Sequence, residues 1–195
     1  MKFSNRLGTI IFALAAMVST AAANETYKID TTHSSIGFHL GHMLGKVVGK
    51  FTKFEGRIDI DREHPQQSSV TVRIQVGSID TGIHKRDEHL RSVEFFDVAK
   101  YPEITFKSRS VKQTGAQNGD ILGDLTMHGV TKPITLHVKL VTPLKDSPEH
   151  SRWEVTADPI KRRDFGLMFS PSLEAVSMIG QEVMPKIDIE AVREK

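Results

Sequence analysis

Four side chains able to do acid–base chemistry fall within six residues of one another: Arg86, Asp87, His89 and Arg91. A carboxylate beside an imidazole and guanidinium groups suits general acid–base catalysis or the binding of a charged headgroup. On a helix, Asp87 and Arg91 are four residues apart, the spacing of an ion pair, whereas His89 faces elsewhere. Nothing nearby supplies a nucleophile or an oxyanion hole of recognisable spacing. We therefore favour a polar clamp that fastens this segment to the fold, and keep the catalytic interpretation as the alternative.

Histidine is the second group with potential chemistry, since the chain contains nine His and no Cys. Without cysteine there is no disulfide, no thiolate nucleophile and no Cys-ligated metal. His33, His39 and His42 are close in sequence, but His39 falls on the polar face of an alternating segment. His84 and His89 are five residues apart, which is poor helical geometry for a metal. The sequence therefore predicts scattered histidines and no metal site.

The first 23 residues have the composition of a secretory signal peptide. Lys2 and Arg6 precede an uncharged run over residues 7–18, which an Ala-x-Ala site follows. This run of 12 residues is too short to anchor the chain permanently in a bilayer. We expect a periplasmic protein whose mature chain starts near Asn24 and inserts stably into no membrane.

The mature chain, residues 24–195, is formally neutral. Removing Lys2 and Arg6 leaves 24 basic groups against 24 acidic groups. A neutral surface argues against nucleic acid, or a strongly anionic membrane, as the main partner. A single domain of 172 residues can bury roughly 70% of its extended surface, which is enough for a full core.

Alternation of apolar and polar residues with a period of two is the dominant pattern. It occurs in eight segments, at residues 36–40, 54–60, 70–76, 104–106, 121–127, 134–140, 153–157 and 187–191. Such segments are typical of half-buried strands, and the short links between them favour antiparallel pairing. A single sheet of this size avoids exposed edges by closing. The sequence predicts an all-β fold, a closed antiparallel β-barrel of about eight strands, whose apolar interior would accept only an apolar ligand.

Residues 84–99 break the alternation. Leu90, Val93 and Phe96 follow one another at steps of three, which predicts one or two short helices that end before Pro102. The barrel is thus expected to carry a short helical insertion.

Two features near the C-terminus also depart from the strand pattern. Residues 165–180 contain Gly, Ser and Pro and predict a long loop with a turn of helix at residues 173–176. Pro185 lies inside the last alternating segment and cannot donate a ladder hydrogen bond, which predicts a sheet edge or a bulge there.

Short motifs follow one another in order along nearly the whole mature chain. They include Tyr27-Lys28-Ile29-Asp30, Gly49-Lys50-Phe51, Ser78-Ile79-Asp80-Thr81-Gly82, Arg86-Asp87-x-His89-Leu90-Arg91-Ser92, Phe95-Phe96-Asp97, Gly123-Asp124-Leu125-Thr126, Gly129-Val130-Thr131-Lys132-Pro133, Arg163-Asp164-Phe165-Gly166 and Glu182-Val183. On these motifs the chain resembles the YceI-like family of exported polyisoprenoid-binding proteins. The resemblance implies a lipocalin-like barrel with a long apolar cavity and an isoprenoid chain or similar lipid as ligand. It implies no cofactor and no established catalysis.

The same alternation would serve a packed core or an apolar tunnel, and the resemblance favours the tunnel. The strand residues expected to line it are Phe38, Leu40, Phe54, Ile58, Val72, Ile74, Phe106, Leu125, Leu136 and Trp153. His42 and Arg163 are expected to be polar groups at its mouth, because each lies where an apolar strand pattern ends.

The resulting hypothesis is a periplasmic lipid-binding protein, not an enzyme. It would hold a polyisoprenoid or similar long-chain amphiphile, such as a polyprenyl or quinone tail, for transport or storage. One alternative is a hydrolase or isomerase that acts on a lipid headgroup through Arg86, Asp87 and His89. The other is a ligand-free stress-response interaction protein whose barrel is filled by its own side chains.

Overall fold

A computed structural model describes most of residues 24–195. The described residues are 25–42, 45–142, 147–169 and 179–195. The expected signal peptide at residues 1–23, the expected mature start at Asn24 and the expected helical turn at residues 173–176 lie outside them.

The described residues form twelve strands and one α-helix. The strands are β1 (Glu25–Ile29), β2 (Ser35–His42), β3 (Gly45–Phe51), β4 (Phe54–Ile60), β5 (Ser69–Gln75), β6 (Ile79–Asp80), β7 (Glu103–Gln113), β8 (Asn118–Met127), β9 (Val130–Thr142), β10 (His150–Ala157), β11 (Ile160–Lys161) and β12 (Glu182–Arg193). The helix is α1 (His84–Arg91), and short 3-10 turns occur at Pro65–Gln67, Val76–Ser78 and Arg162–Phe165. Seven of the eight predicted segments lie wholly in strands, and residues 70–76 do so up to Gln75, because Val76 begins a 3-10 turn.

Eight of the strands close into an antiparallel barrel in the order β1-β4-β5-β7-β8-β9-β10-β12. The ring is completed between β12 and β1, where Tyr27 pairs with Arg193 and Ile29 pairs with Ala191. The predicted closed antiparallel barrel of about eight strands is confirmed.

Strands β2, β3, β6 and β11 extend the wall of the barrel at one end. Along one edge of β12, pairing with β1 ends at Ile29 and resumes with β2 at Ser35, so β1 and β2 act as one interrupted strand. In the same way β3 leads into β4 and β6 follows β5. The alternation pattern missed β6 and β11, which have two residues each, and β3, which has glycine at an inward position, Gly49; it also missed the five residues of β1.

The two ends of the barrel differ in what covers them. The loop end carries the connections β4–β5, β7–β8 and β9–β10. The helix end carries α1, the 3-10 turn Arg162–Phe165 and the tip of the β2–β3 hairpin, where the Gly180 N–H donates to the Gly41 carbonyl at 2.8 Å.

The helical insertion is shorter than expected, because α1 stops at Arg91. Leu90 and Phe96 both line the barrel interior, but Val93 is 77% exposed. The predicted helix therefore does not extend to Val93 and Phe96. The physical reason is that the helical step of three ends with α1, and residues after it follow turns.

Two charged residues of α1 reach back to the chain before the helix. Buried Asp87 accepts hydrogen bonds at Oδ1 from the Thr81 N–H (3.0 Å) and the Thr81 hydroxyl (2.6 Å). Arg91 donates through Nε to the Gly77 carbonyl (2.8 Å) and through Nη2 to the Ile79 carbonyl (2.7 Å). The expected Asp87–Arg91 ion pair does not occur, because both side chains are engaged by this preceding segment. These hydrogen bonds fasten α1 to the segment that precedes it, which is the arrangement of a polar clamp.

Pro185 lies in β12 at a place where its missing N–H is tolerated. One edge of β12 pairs Pro185 with Phe38 of β2. On the other edge, β11 pairs up to Val183 and β10 pairs only from Ile187 onward. Pro185 thus faces a gap between β11 and β10 rather than the predicted sheet edge or bulge, and the barrel still closes.

Glycine allows two phenyl rings to lie flat against neighbouring strands. A Cβ at Gly49 would be 2.4 Å from the ring of Phe38, its partner in the β2–β3 register. A Cβ at Gly123 would be 2.4 Å from the ring of Phe106 and 2.7 Å from the Lys107 carbonyl oxygen. Both rings are thereby kept across the barrel interior.

Candidate functional site

The interior of the barrel is a cavity of about 530 Å³ rather than a filled core. Its surface is almost wholly apolar, and its lining residues come from both the loop end and the helix end. Alternate residues of the strands supply the side chains, as expected for an eight-stranded barrel wide enough to hold a ligand. This is the typical size and character of a small-molecule site.

Nine of the residues expected to line a tunnel do line this cavity. They are Phe38, Leu40, Ile58, Val72, Ile74, Phe106, Leu125, Leu136 and Trp153. Phe54 instead packs against the core from outside the cavity lining. The side chain of His42 lies outside what the structure describes.

Arg163 does not occupy the expected place at the mouth, since it is exposed and is not a lining residue. Its neighbour Arg162 is buried and lines the cavity. The 3-10 turn over Arg162–Phe165 decides this, because successive side chains of a tight turn point in different directions.

Sequence reasoning missed a row of aromatic rings at the helix end of the cavity. Ring centroids are 5.8 Å apart for Phe38 and Phe51, and 6.4 Å apart for Phe51 and Phe96. They are 5.1 Å apart for Phe96 and Phe95, and 4.6 Å apart for Phe95 and Phe169. All five residues line the cavity. The motifs that contain Phe51, Phe95 and Phe96 were a signal that could have found them.

Three nitrogen-bearing side chains line the helix end of the cavity: Arg86, His89 and Arg162. Arg86 donates through Nε to the Thr81 hydroxyl (2.7 Å) and through Nη2 to the Thr81 carbonyl (2.8 Å). His89 Nε2 is 3.0 Å from a carboxylate oxygen of Glu94. The Arg162 Nη1 donates to the Leu167 carbonyl at 2.8 Å. Each of these contacts joins residues close in sequence, so they fix the local shape of the segments that cover this end.

A second polar cluster lies at the loop end. Arg62 lines the cavity there, and its Nε and Nη2 are each 2.7 Å from Oε2 of Glu25. The hydroxyl of the fully buried Tyr27 donates to the Pro148 carbonyl at 2.8 Å and lies 3.1 Å from the same Glu25 oxygen. Burial raises the pKa of Tyr27 above its usual value, and the negative charge of Glu25 raises it further.

The capacity of the cavity can be estimated from smaller cavities of known content. An apolar protein cavity of about 150 Å³ holds benzene, so a cavity of about 530 Å³ holds about twenty carbon atoms. That is roughly four isoprene units. The arrangement is therefore suited to enclosing the tail of a long apolar molecule.

The rest of the described structure adds no other candidate centre. Within the described ranges, no three His, Asp or Glu side chains are grouped as a metal site would require. No α-helix in this part of the chain is long and apolar enough to cross a membrane.

Comparison with known proteins assigns the fold to a family. The YceI-like domain matches residues 27–191 of the chain. The chain belongs to the YceI-like family. Protein YceI of Salmonella arizonae is 37% identical over 197 residues, which covers 98% of each chain. The family resemblance inferred from the motifs is thereby confirmed.

Solved structures share the YceI-like barrel. BcnA of Burkholderia cenocepacia has a TM-score of 0.76 at 24% identity, covering 84% of this chain and 99% of its own. A polyisoprenoid binding domain from Saccharophagus degradans has a TM-score of 0.65 at 20% identity, covering 86% of this chain and 98% of its own. At these identities the likeness shows the common fold.

Proposed function

We propose that this YceI-like protein binds a polyisoprenoid or similar long-chain amphiphile inside its barrel. The observation that carries the proposal is the apolar cavity of about 530 Å³ that reaches from one end of the barrel to the other. The similarity of the fold to a domain described as polyisoprenoid binding supports the same ligand class.

The hydrophobic effect supplies the affinity. Burial of a CH₂-sized group contributes about 0.8 kcal/mol, so an isoprene unit of five carbons contributes roughly 4 kcal/mol before ordering costs. Each added unit strengthens binding until the cavity is full at about four units. Selection is therefore by chain length and apolarity.

We further propose that the protein works in the periplasm, for transport or storage of its ligand. The support is the sequence of residues 1–23, which has the basic start, apolar core and Ala-x-Ala site of a cleavable signal peptide. Residues 24–195 then act as one binding domain. An isoprenoid chain partitions into bilayers, so a carrier in the water between two membranes needs an enclosed apolar interior.

The two rival functions are less well supported. An enzyme acting through Arg86, Asp87 and His89 would need all three groups aimed at a substrate. Arg86 and His89 line the cavity, but Asp87 does not, and both Asp87 and Arg86 form hydrogen bonds with Thr81. A ligand-free protein with a filled barrel would need a packed interior, whereas the barrel encloses a cavity. Binding without chemistry is the function that the geometry favours.

The experiment is to purify the protein from the periplasm of a bacterial host without detergent and analyse it by native mass spectrometry. We expect a retained apolar adduct of about twenty carbons or more, released by organic extraction. Protein that carries no adduct and takes up no added prenyl chain would contradict the proposal. Chemical conversion of an added lipid would favour the enzyme instead.

A further inference from the structure

Exposed large apolar side chains are concentrated at the helix end of the barrel. Among the described residues, six such side chains are exposed, and four of them belong to this end. These four are Val48, Ile83, Val93 and Met168, each between 52% and 77% exposed, and we call them the helix-end patch. The other two, Leu122 and Val141, lie on the barrel wall and are less exposed, at 39% and 38%. Exposure of this kind on one end indicates an interaction surface.

The helix-end patch is continuous in sequence with the lining of the cavity. Met168 precedes Phe169, and Val48 follows Val47, while Phe169 and Val47 both line the cavity. Val93 lies two residues before Phe95, which stacks on Phe169 with ring centroids 4.6 Å apart. The apolar interior and the exposed apolar residues therefore meet at the same end.

The two ends of the cavity differ in the exposure of their polar lining residues: at the helix end Arg86 and His89 are half-buried and Arg162 is buried, unlike those of the loop end. Exposed polar residues line the cavity there, namely Arg62, Gln113, Gln117 and Asn118. Polar groups of this kind favour contact with water, whereas the helix-end patch favours an apolar phase. The asymmetry identifies the helix end as the one facing the source of an apolar ligand.

Charges around the helix-end patch are compatible with phospholipid headgroups. Lys46, Lys50 and Lys85 are exposed on the β2–β3 hairpin and α1. Two exposed acidic residues of the same segment each lie beside a histidine: Glu88 is 3.5 Å from His84 and Glu94 is 3.0 Å from His89. Lysine side chains next to apolar ones are typical of surfaces that rest in the interface of a bilayer.

We propose that the helix end is a docking surface for a phospholipid bilayer. The helix-end patch inserts into the bilayer interface, so that an isoprenoid chain passes between membrane and cavity without crossing water. This inference rests on the proposed function and names the partner of the same site. A patch of four side chains gives weak, reversible binding, as a carrier requires.

The test compares two double variants that remove equal numbers of exposed apolar side chains. Val93→Gln with Met168→Gln alters the helix end, and Leu122→Gln with Val141→Gln is the matched control on the barrel wall. None of these four residues lines the cavity. Both variants and the parent are mixed with vesicles of phosphatidylethanolamine and phosphatidylglycerol that contain a fluorescent geranylgeranyl probe. The rate of probe transfer to the protein is measured, beside the affinity for a soluble short-chain prenyl probe.

We expect the helix-end variant to take up the vesicle probe at least about tenfold more slowly, since insertion of two apolar side chains is lost. Its affinity for the soluble probe should equal that of the parent, and the control should match the parent in both measurements. Equal transfer rates for all three proteins would overturn the docking inference while leaving the binding function intact. Failure of the parent to bind either probe would instead overturn the proposed function. A helix-end variant that changes from dimer to monomer by sedimentation, with transfer unchanged, would assign the patch to a second copy of the chain.

Discussion

Replacing Leu136 by tryptophan tests whether the space inside the barrel is the space that a ligand fills. Leu136 lies in β9, pairs with Ile121 and Ala157, and lines the cavity. Tryptophan adds about six heavy atoms to leucine, which is the size of benzene and takes up about 150 Å³. About 380 Å³ of the original 530 Å³ then remains, enough for about three isoprene units instead of four.

The expected effect depends on chain length. Affinity for chains of about three units or fewer should change little, because these still fit. A chain of about four units loses the burial of one unit, at most about 4 kcal/mol, or up to about a thousandfold in Kd. The folded state should lose less than about 1 kcal/mol, because the indole fills existing space rather than overpacking a core.

The assay is a binding series over prenyl chain lengths, beside urea unfolding curves for parent and variant. Leu122→Trp is the matched control, because Leu122 lies in the neighbouring strand β8, is partly exposed and does not line the cavity. The reasoning is refuted if Leu136→Trp weakens all chain lengths equally. It is also refuted if the variant loses about 1–3 kcal/mol of stability, which is typical of an overpacked core.

Three further predictions concern the fold around the cavity. Asp87→Ala should lower the free energy of unfolding in urea by about 1–3 kcal/mol, because it leaves the Thr81 N–H and hydroxyl without their acceptor. Asp87→Asn should restore part of this stability. An unchanged urea midpoint for the alanine variant would contradict the clamp. Gly123→Ala should cost about 1–3 kcal/mol in thermal or urea unfolding, whereas Gly41→Ala, with no atom within 4 Å of the new Cβ, should be nearly neutral. The pKa of Tyr27 is raised in the folded state, so folding favours the neutral phenol and the phenol stabilises the fold. This stabilisation is complete below about pH 10.0 and is lost as the pH rises through the folded pKa. Tyr27→Phe should lack that alkaline decline in unfolding curves measured across this range, and an identical decline in both proteins would refute the assignment.

The local chain pattern was sufficient to predict the type of fold. Alternating residues such as Phe106, Leu125 and Leu136 must put one face inward in any paired sheet, because the side-chain period of a strand is two. The motifs added the family, and the same alternation identified nine residues that line the cavity. Where glycine replaces an inward apolar residue, as at Gly49 in β3, the pattern gave no signal and the strand was missed.

Long-range packing decided which polar groups reach the cavity. A spacing of four residues allowed Asp87 to pair with Arg91, but both side chains form hydrogen bonds to the chain before α1 instead. Arg162 rather than Arg163 faces the interior, because the direction of a side chain in a tight turn depends on how the turn packs.

The sequence by itself determined an all-β chain with apolar alternation, one short helix and the motifs of its family. Only the tertiary structure decided that the inward residues surround space instead of filling it. The physical reason is that alternation specifies the direction of each side chain, whereas an empty interior depends on the circumference of the closed sheet. The row of rings from Phe38 to Phe169 and the polar cluster at Arg62 likewise required segments distant in sequence to come together.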